Sequence, residues 1–212
     1  VLVPSLYLLT EAEGASLRQY VEGGGTAVIS FWSGIVDEHD RVHLGPYGGP
    51  LRELIGGDVV DVAPLQPGQA VDVAWADGRR SAGTLWQDLI EAGDGEVLAR
   101  YDSGPWAGYP AVLSQAVGAG RAIYVGTRLD TGALSELLGE VLGERMQGRP
   151  AAGVERVVRR SAGASYEFLI NTGSEPVAVP LASPGLDLLS GTTLTGQADL
   201  PGQGVAIVRR EN

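Results

Sequence analysis

The sequence predicts an α/β domain followed by a small antiparallel β-sandwich, and three features carry that expectation. Residues 1–31 alternate strand, helix and strand patterns. A long amphipathic helix pattern runs from Asp130 to Met146. Beyond a Gly- and Pro-rich stretch, only short strand-like segments remain.

VLVPSLYLL, residues 1–9, is a nearly continuous apolar run, as expected of a strand covered on both faces. It has neither an initiator Met nor a basic region ahead of it, so it reads as the interior of a longer polypeptide, not as a signal peptide. Thr10-Glu11-Ala12-Glu13 matches a capping box, Leu17, Tyr20 and Val21 supply an apolar stripe, and Gly23-Gly24-Gly25 ends the helix. TAVISF, residues 26–31, is a second buried strand. Strand, helix and strand at this spacing make a βαβ unit with a parallel sheet.

Pro50–Ile55 reads as a short helix closed by Gly56-Gly57. Four strand-like pieces follow: DVVDVAPL, AVDVAW, AGTLW and EVLARY, with Asp77-Gly78 marking a hairpin. PAVLSQAV and RAIYVG flank Gly118-Ala119-Gly120 as another hairpin. Asp130 or Thr131 then caps a helix with Leu134, Leu137, Leu138, Val141, Leu142 and Met146 on one face. The expected division is an α/β domain over 1–147, a linker over 148–153 and a β domain over 154–212. In the last, GVERVVRR, SYEFLIN, PVAVPL, LDLLSG and GVAIVRR are the strands.

Composition removes several function classes. The chain has 212 residues and a net charge of −11, with its basic residues dispersed, so no nucleic-acid-binding patch is expected. No apolar run reaches the ~20 residues needed to span a bilayer. Cysteine is absent, which removes disulfides and thiolate chemistry and fits the cytoplasm. Every basic residue is Arg, which removes Schiff-base and Walker-type lysine chemistry.

The stretch FWSGIVDEHDRVHLGPYGGP, residues 31–50, concentrates Asp37, Glu38, Asp40, His39 and His43. It can be read as an active site, a metal site or a shaped loop without chemistry. The spacing matches neither H-E-x-x-H nor the EF-hand series, and His43 between Val42 and Leu44 reads as packed or hydrogen-bonded. Ser33 lacks the preceding Gly of a nucleophile elbow. Nothing marks a carboxylate pair for glycoside hydrolysis. The shaped loop is therefore favoured. Trp32, Tyr47, Trp86, Trp106 and Tyr109 offer either sugar-stacking faces or anchors for loops and subunit contacts, with the second preferred.

Residues 1–57, together with GEVLARYDSGPWAGYPAVLSQAVGAGRAIYVGTRLD and SYEFLINTGSEPVAVPL…GVAIVRR, resemble glycoside hydrolase family 42 β-galactosidases. The resemblance is to their middle trimerisation domain and C-terminal β domain. It implies a flavodoxin-like domain akin to class I glutamine amidotransferases, truncated at its N-terminus, since the family's middle domain normally begins with a further strand, helix and strand. It also implies a parent that hydrolyses terminal β-D-galactosides with two glutamates of a (β/α)₈ barrel matched by no residue here. It further implies a homotrimer formed through the α/β domain, contact with its own or a neighbouring barrel, and no cofactor. The expected interface residues are Trp32, Asp37, Glu38, Asp40, Tyr47 and Pro50. The alternatives are a carbohydrate-binding module using Trp32, Trp86, Trp106 or Tyr109, and a free-standing hydrolase using Ser33 or the acidic loop.

Overall fold

A computed structural model describes residues 1–143 and 153–211, and the chain divides into two units, Val1–Val141 and Leu142–Asn212. Met146 and the expected linker positions 148–152 lie outside the described residues.

The first unit is built on one mixed sheet of nine strands. In chain order these are β1 (Leu2–Val3), β2 (Thr26–Ser30), β3 (Gly57–Pro64), β4 (Ala70–Trp75), β5 (Arg80–Ala92), β6 (Glu96–Tyr101), β7 (Pro110–Val117), β8 (Gly120–Val125) and β9 (Thr127–Leu129). Their spatial order is β1-β2-β8-β7-β6-β4-β5-β3, with β9 pairing β5. β1, β2 and β8 are parallel, as the βαβ pattern requires, and the remaining pairs are antiparallel. The helices are α1 (Glu11–Glu22), α2 (Arg52–Ile55, entered through a 3-10 turn at Gly49–Leu51) and α3 (Thr131–Leu142).

Side chains alternate across a strand, so β2 and β8 feed two cores. Ala27, Ile29, Ala122 and Tyr124 join Val21 of α1 and Leu54 and Ile55 of α2 on one face. Val28, Ile123 and Val125 join Ala133 and Leu137 of α3 on the other. The capping box is formed: Thr10 Oγ1 accepts from the Glu13 amide at 3.2 Å, and Glu13 Oε2 accepts from the Thr10 amide at 2.9 Å. Asp130 caps α3 by accepting from the Ala133 amide, and its other oxygen accepts from the Ala82 amide, tying the helix to β5. At the β4–β5 hairpin, Arg79 lies over the Trp75 ring and pairs with Asp77, Glu136 and Glu140, clamping the turn to the exposed side of α3.

Two expectations change. VLVPSLYLL is not a strand buried on both faces: only Leu2–Val3 is strand, it pairs with β2 alone, and Val1, Leu2, Leu6, Tyr7 and Leu8 are exposed. An apolar run reports a liking for burial but not whether both sides are covered, and here Pro4 and Ser5 (φ 44°) end the strand. AGTLW expands into the thirteen-residue β5, because Gln87 and Asp88 are buried polar residues that interrupt the apolar pattern.

The second unit is antiparallel β throughout. β10 (Val154–Arg160), β11 (Ala164–Asn171), β13 (Gly185–Asp187), β14 (Thr193–Leu194) and β16 (Val205–Glu211) form one sheet in the order β10-β11-β16-β13-β14. β12 (Val177–Pro180) and β15 (Gln197–Leu200) form the other. Leu169, Ala206 and Val208 of the larger sheet pack with Val179, Ala198 and Leu200 of the smaller. Glu167 sits on the same face of β11 as Leu169, only 2% of its side chain exposed, and is clasped by Arg156 of β10 and Arg210 of β16.

Candidate functional site

The loop that leaves β2 is held by its own backbone. The amides of Gly34 and Ile35 donate to the carbonyls of Leu6 and Tyr7, the His43 amide to Ile35, and the Tyr47 amide to Val59. Gly34 has φ +66°, and a Cβ there would stand 2.5 Å from the Gly48 carbonyl oxygen. A Gly34→Ala variant is therefore expected to lose about 1–3 kcal/mol, read as a lower denaturation midpoint. An unchanged midpoint would show that the two limbs of the loop can part freely.

Three of the candidate reactive groups, Ser33, Asp37 and His43, have a structural occupation. Ser33 is buried, and its Oγ accepts from the Leu6 amide at 3.0 Å. Asp37 Oδ1 accepts from the amides of His39 and Arg41 at 2.8 and 2.9 Å, and the Arg41 amide above all holds this carboxyl below the usual range. His43 Nε2 lies 3.0 Å from the Leu9 carbonyl oxygen, a packed and hydrogen-bonded position. Among the described residues, no group of three His, Cys, Asp or Glu side chains could hold a metal ion.

The expected interface residues divide by what they touch. Glu38 and Asp40 are exposed, while Asp37 shapes the turn between them. Tyr47 packs partly against the core under α2. Pro50 meets α1 at Gly14, where a Cβ would approach the Pro50 Cβ to 2.3 Å. Trp32, at φ 63°, stacks on Tyr7 at 5.6 Å and meets Trp86 edge-on at 4.5 Å, and Trp86 stacks on Phe31 at 6.2 Å. Trp106 packs on the α3-side core, away from this stack, and Tyr109 is exposed. Sequence reading passed over the tip of the loop, where Leu44 is 95% and Val42 59% exposed. Two aliphatic residues flanking a polar His in a polar loop were the available signal.

Beneath the stack lies a buried polar cluster that the sequence did not reveal. Trp86 Nε1 donates to Asp88 Oδ1 at 2.7 Å and the Tyr124 hydroxyl to Asp88 Oδ2 at 2.6 Å. The Tyr101 hydroxyl donates to the Gly126 carbonyl, the same oxygen that accepts from the Asp88 amide. Burial pushes the Asp88 carboxyl up to about 7, against the two hydrogen bonds that favour its charge. Burial also raises both tyrosines above their usual range.

A mixed α/β domain of the class I glutamine amidotransferase-like type, followed by a small antiparallel β unit, is the class of protein this architecture defines. Comparison with known proteins gives its family. Residues 1–147 match the β-galactosidase trimerisation domain and residues 153–210 the β-galactosidase C-terminal domain. The chain belongs to the glycoside hydrolase family 42 β-galactosidases, as their trimerisation and C-terminal domains without the catalytic one.

Beta-galactosidase BgaB of a Geobacillus species is 35% identical over 218 aligned residues, covering 100% of this chain and 32% of that protein. A β-galactosidase of an Arthrobacter species is likewise 35% identical, over 94% of this chain and 28% of its own length. The crystal structure of a β-galactosidase from Bacillus circulans sp. alkalophilus superposes with a TM-score of 0.93 at 32% identity, covering 99% of this chain and 32% of that one. The chain thus spans about a third of the length of the curated relatives it matches.

Proposed function

We propose that this chain is the oligomerisation and C-terminal region of a β-galactosidase that hydrolyses terminal β-D-galactosides, and that the two catalytic glutamates lie in a barrel outside these residues. The observation that carries this reading is the lopsided coverage: the whole of this chain, but only 32% of the relative, enters the match. The occupied state of Ser33, Asp37 and His43 agrees with it. Among the described residues no helix is long and apolar enough to cross a membrane. The proposed compartment is the cytoplasm, with which a chain free of cysteine is compatible. The expected linker at 148–153 is retained as the joint between the domains.

The proposed assembly is a homotrimer, and the loop Trp32–Pro50 is one of its contact surfaces. Leu44 and Val42 are its apolar tip, Glu38 and Asp40 its charged rim, and Trp32, Asp37, Tyr47 and Pro50 its supports. A closed three-fold ring joins two different patches of each subunit, so the tip meets a surface other than itself. Leu44 touches so little of its own chain that Leu44→Ala is expected to leave folding intact and weaken association about tenfold in sedimentation. Wild-type association by that variant would remove the loop from the interface. Steady cleavage of a nitrophenyl β-galactoside by the purified 212-residue chain would overturn the non-catalytic reading itself.

A further inference from the structure

We infer that Asp88 and the rings of Trp86, Trp32, Tyr7 and Phe31 form a proton-linked strut, in which gain or loss of the proton at Asp88 resets the Trp86 indole and, through it, the loop that begins at Trp32. Its consequence for assembly rests on the interface reading given above. The strut itself does not.

The geometry supplies each link. Asp88 is 1% exposed, and both of its oxygens are engaged, one by Trp86 Nε1 and one by the Tyr124 hydroxyl. The groups facing it are Tyr124 from β8, Tyr101 from β6 and Trp86 from its own strand, while its partner across β3 is the apolar Val62. Among the described residues, none of the groups acting on it is positively charged.

When ionised, Asp88 accepts two charge-assisted hydrogen bonds. When neutral, it has a proton to donate. The Tyr124 oxygen is the acceptor in reach, so the Tyr124 hydroxyl proton must turn away and the Trp86 bond becomes an ordinary neutral one. The Trp86 ring contacts Trp32 at 4.5 Å, and Trp32 holds a left-handed backbone that an L-residue adopts only under constraint. A change in the hold on Trp86 therefore reaches the loop through ring contacts, without a backbone hydrogen bond having to break.

The test is ¹⁹F NMR of the 212-residue chain labelled with 5-fluorotryptophan, titrated from pH 5.5 to 8.5, with resonances assigned by Trp32→Phe and Trp86→Phe. The Trp86 and Trp32 resonances are expected to move together with one midpoint near 7, while Trp75 and Trp106 stay still. Asp88→Asn, which keeps the size and most hydrogen bonds, should abolish both movements. Tyr124→Phe removes a bond that favours the charged form, so it should raise the midpoint. Movement of Trp86 without Trp32 would overturn the strut, as would titration that persists in Asp88→Asn. Sedimentation at pH 6 and 8 then separates the two readings. If Trp32 follows Asp88 but Leu44→Ala associates normally, the interface reading fails and the strut stands.

Discussion

Replacing Glu167 with alanine is expected to cost the C-terminal unit about 2–4 kcal/mol, toward the lower part of the range for breaking a buried ion pair because its arginine partners are not fully buried. The glutamate lies on the core-facing side of β11, 2% exposed, while the side chains of Arg156 and Arg210 are 25% and 17% exposed. The Arg210 contact is 2.5 Å, and Arg210 also donates through Nε to the Ser183 carbonyl. Removing the carboxylate takes away the counter-charge that two guanidinium groups share at the edge of an apolar core. Glu167→Gln keeps the shape and one acceptor, so its loss should be smaller. Amide hydrogen exchange along β11 and β16 is the direct measurement: protection there should fall by one to three powers of ten in the alanine variant, about 1.4 kcal/mol for each. Protection equal to wild type would mean that the clasp adds nothing beyond what its desolvation costs.

The second large effect is the pH dependence imposed by Asp88. Its carboxyl rises from an ordinary 3.8 to about 7 in the fold, so between those values the folded chain holds a proton that the unfolded chain has released. Stability from this group is fully present below about 4, declines as pH rises through the window, and is flat above about 7. Three pH units correspond to roughly 4 kcal/mol. The carboxylates of Glu13, Asp37, Asp77 and Asp130 are shifted the other way by hydrogen bonds to backbone amides, and they act as pH falls through the region below 4. Comparing wild type with Asp88→Asn isolates the one group: the variant should be the more stable at pH 8, and its lead should shrink through pH 5 and close near pH 4. Parallel denaturation midpoints across that range would show that Asp88 is ionised throughout.

What the sequence made legible was chiefly local. The capping box at Thr10 and Glu13, the Gly56 stop after α2, the Asp77-Gly78 hairpin and the Gly118-Ala119 turn each depend on a few adjacent residues, and each is present. The α/β unit followed by antiparallel β could be read because hydrophobic period changes along the chain. β14 and β15 were missed because Thr193, Gln197 and Asp199 dilute their apolar residues. The Glu167 clasp brings together three strands, and the Asp88 cluster gathers residues from β5, β6 and β8. In a sequence, a carboxylate that will be buried among distant partners looks like any surface carboxylate. The loop was legible as a shaped segment, whereas the exposure of Leu44 at its tip depends on how the flanking backbone folds back.

The kink that ends β1 decides what the residues after it can hold. Pro4 has no amide to donate and Ser5 is twisted to φ 44°, so the strand stops at Val3 and the Leu6 and Tyr7 carbonyls are free to receive the amides of Gly34 and Ile35. Straightening that kink, as Pro4→Val would encourage, would take the berth away from the loop that leaves β2.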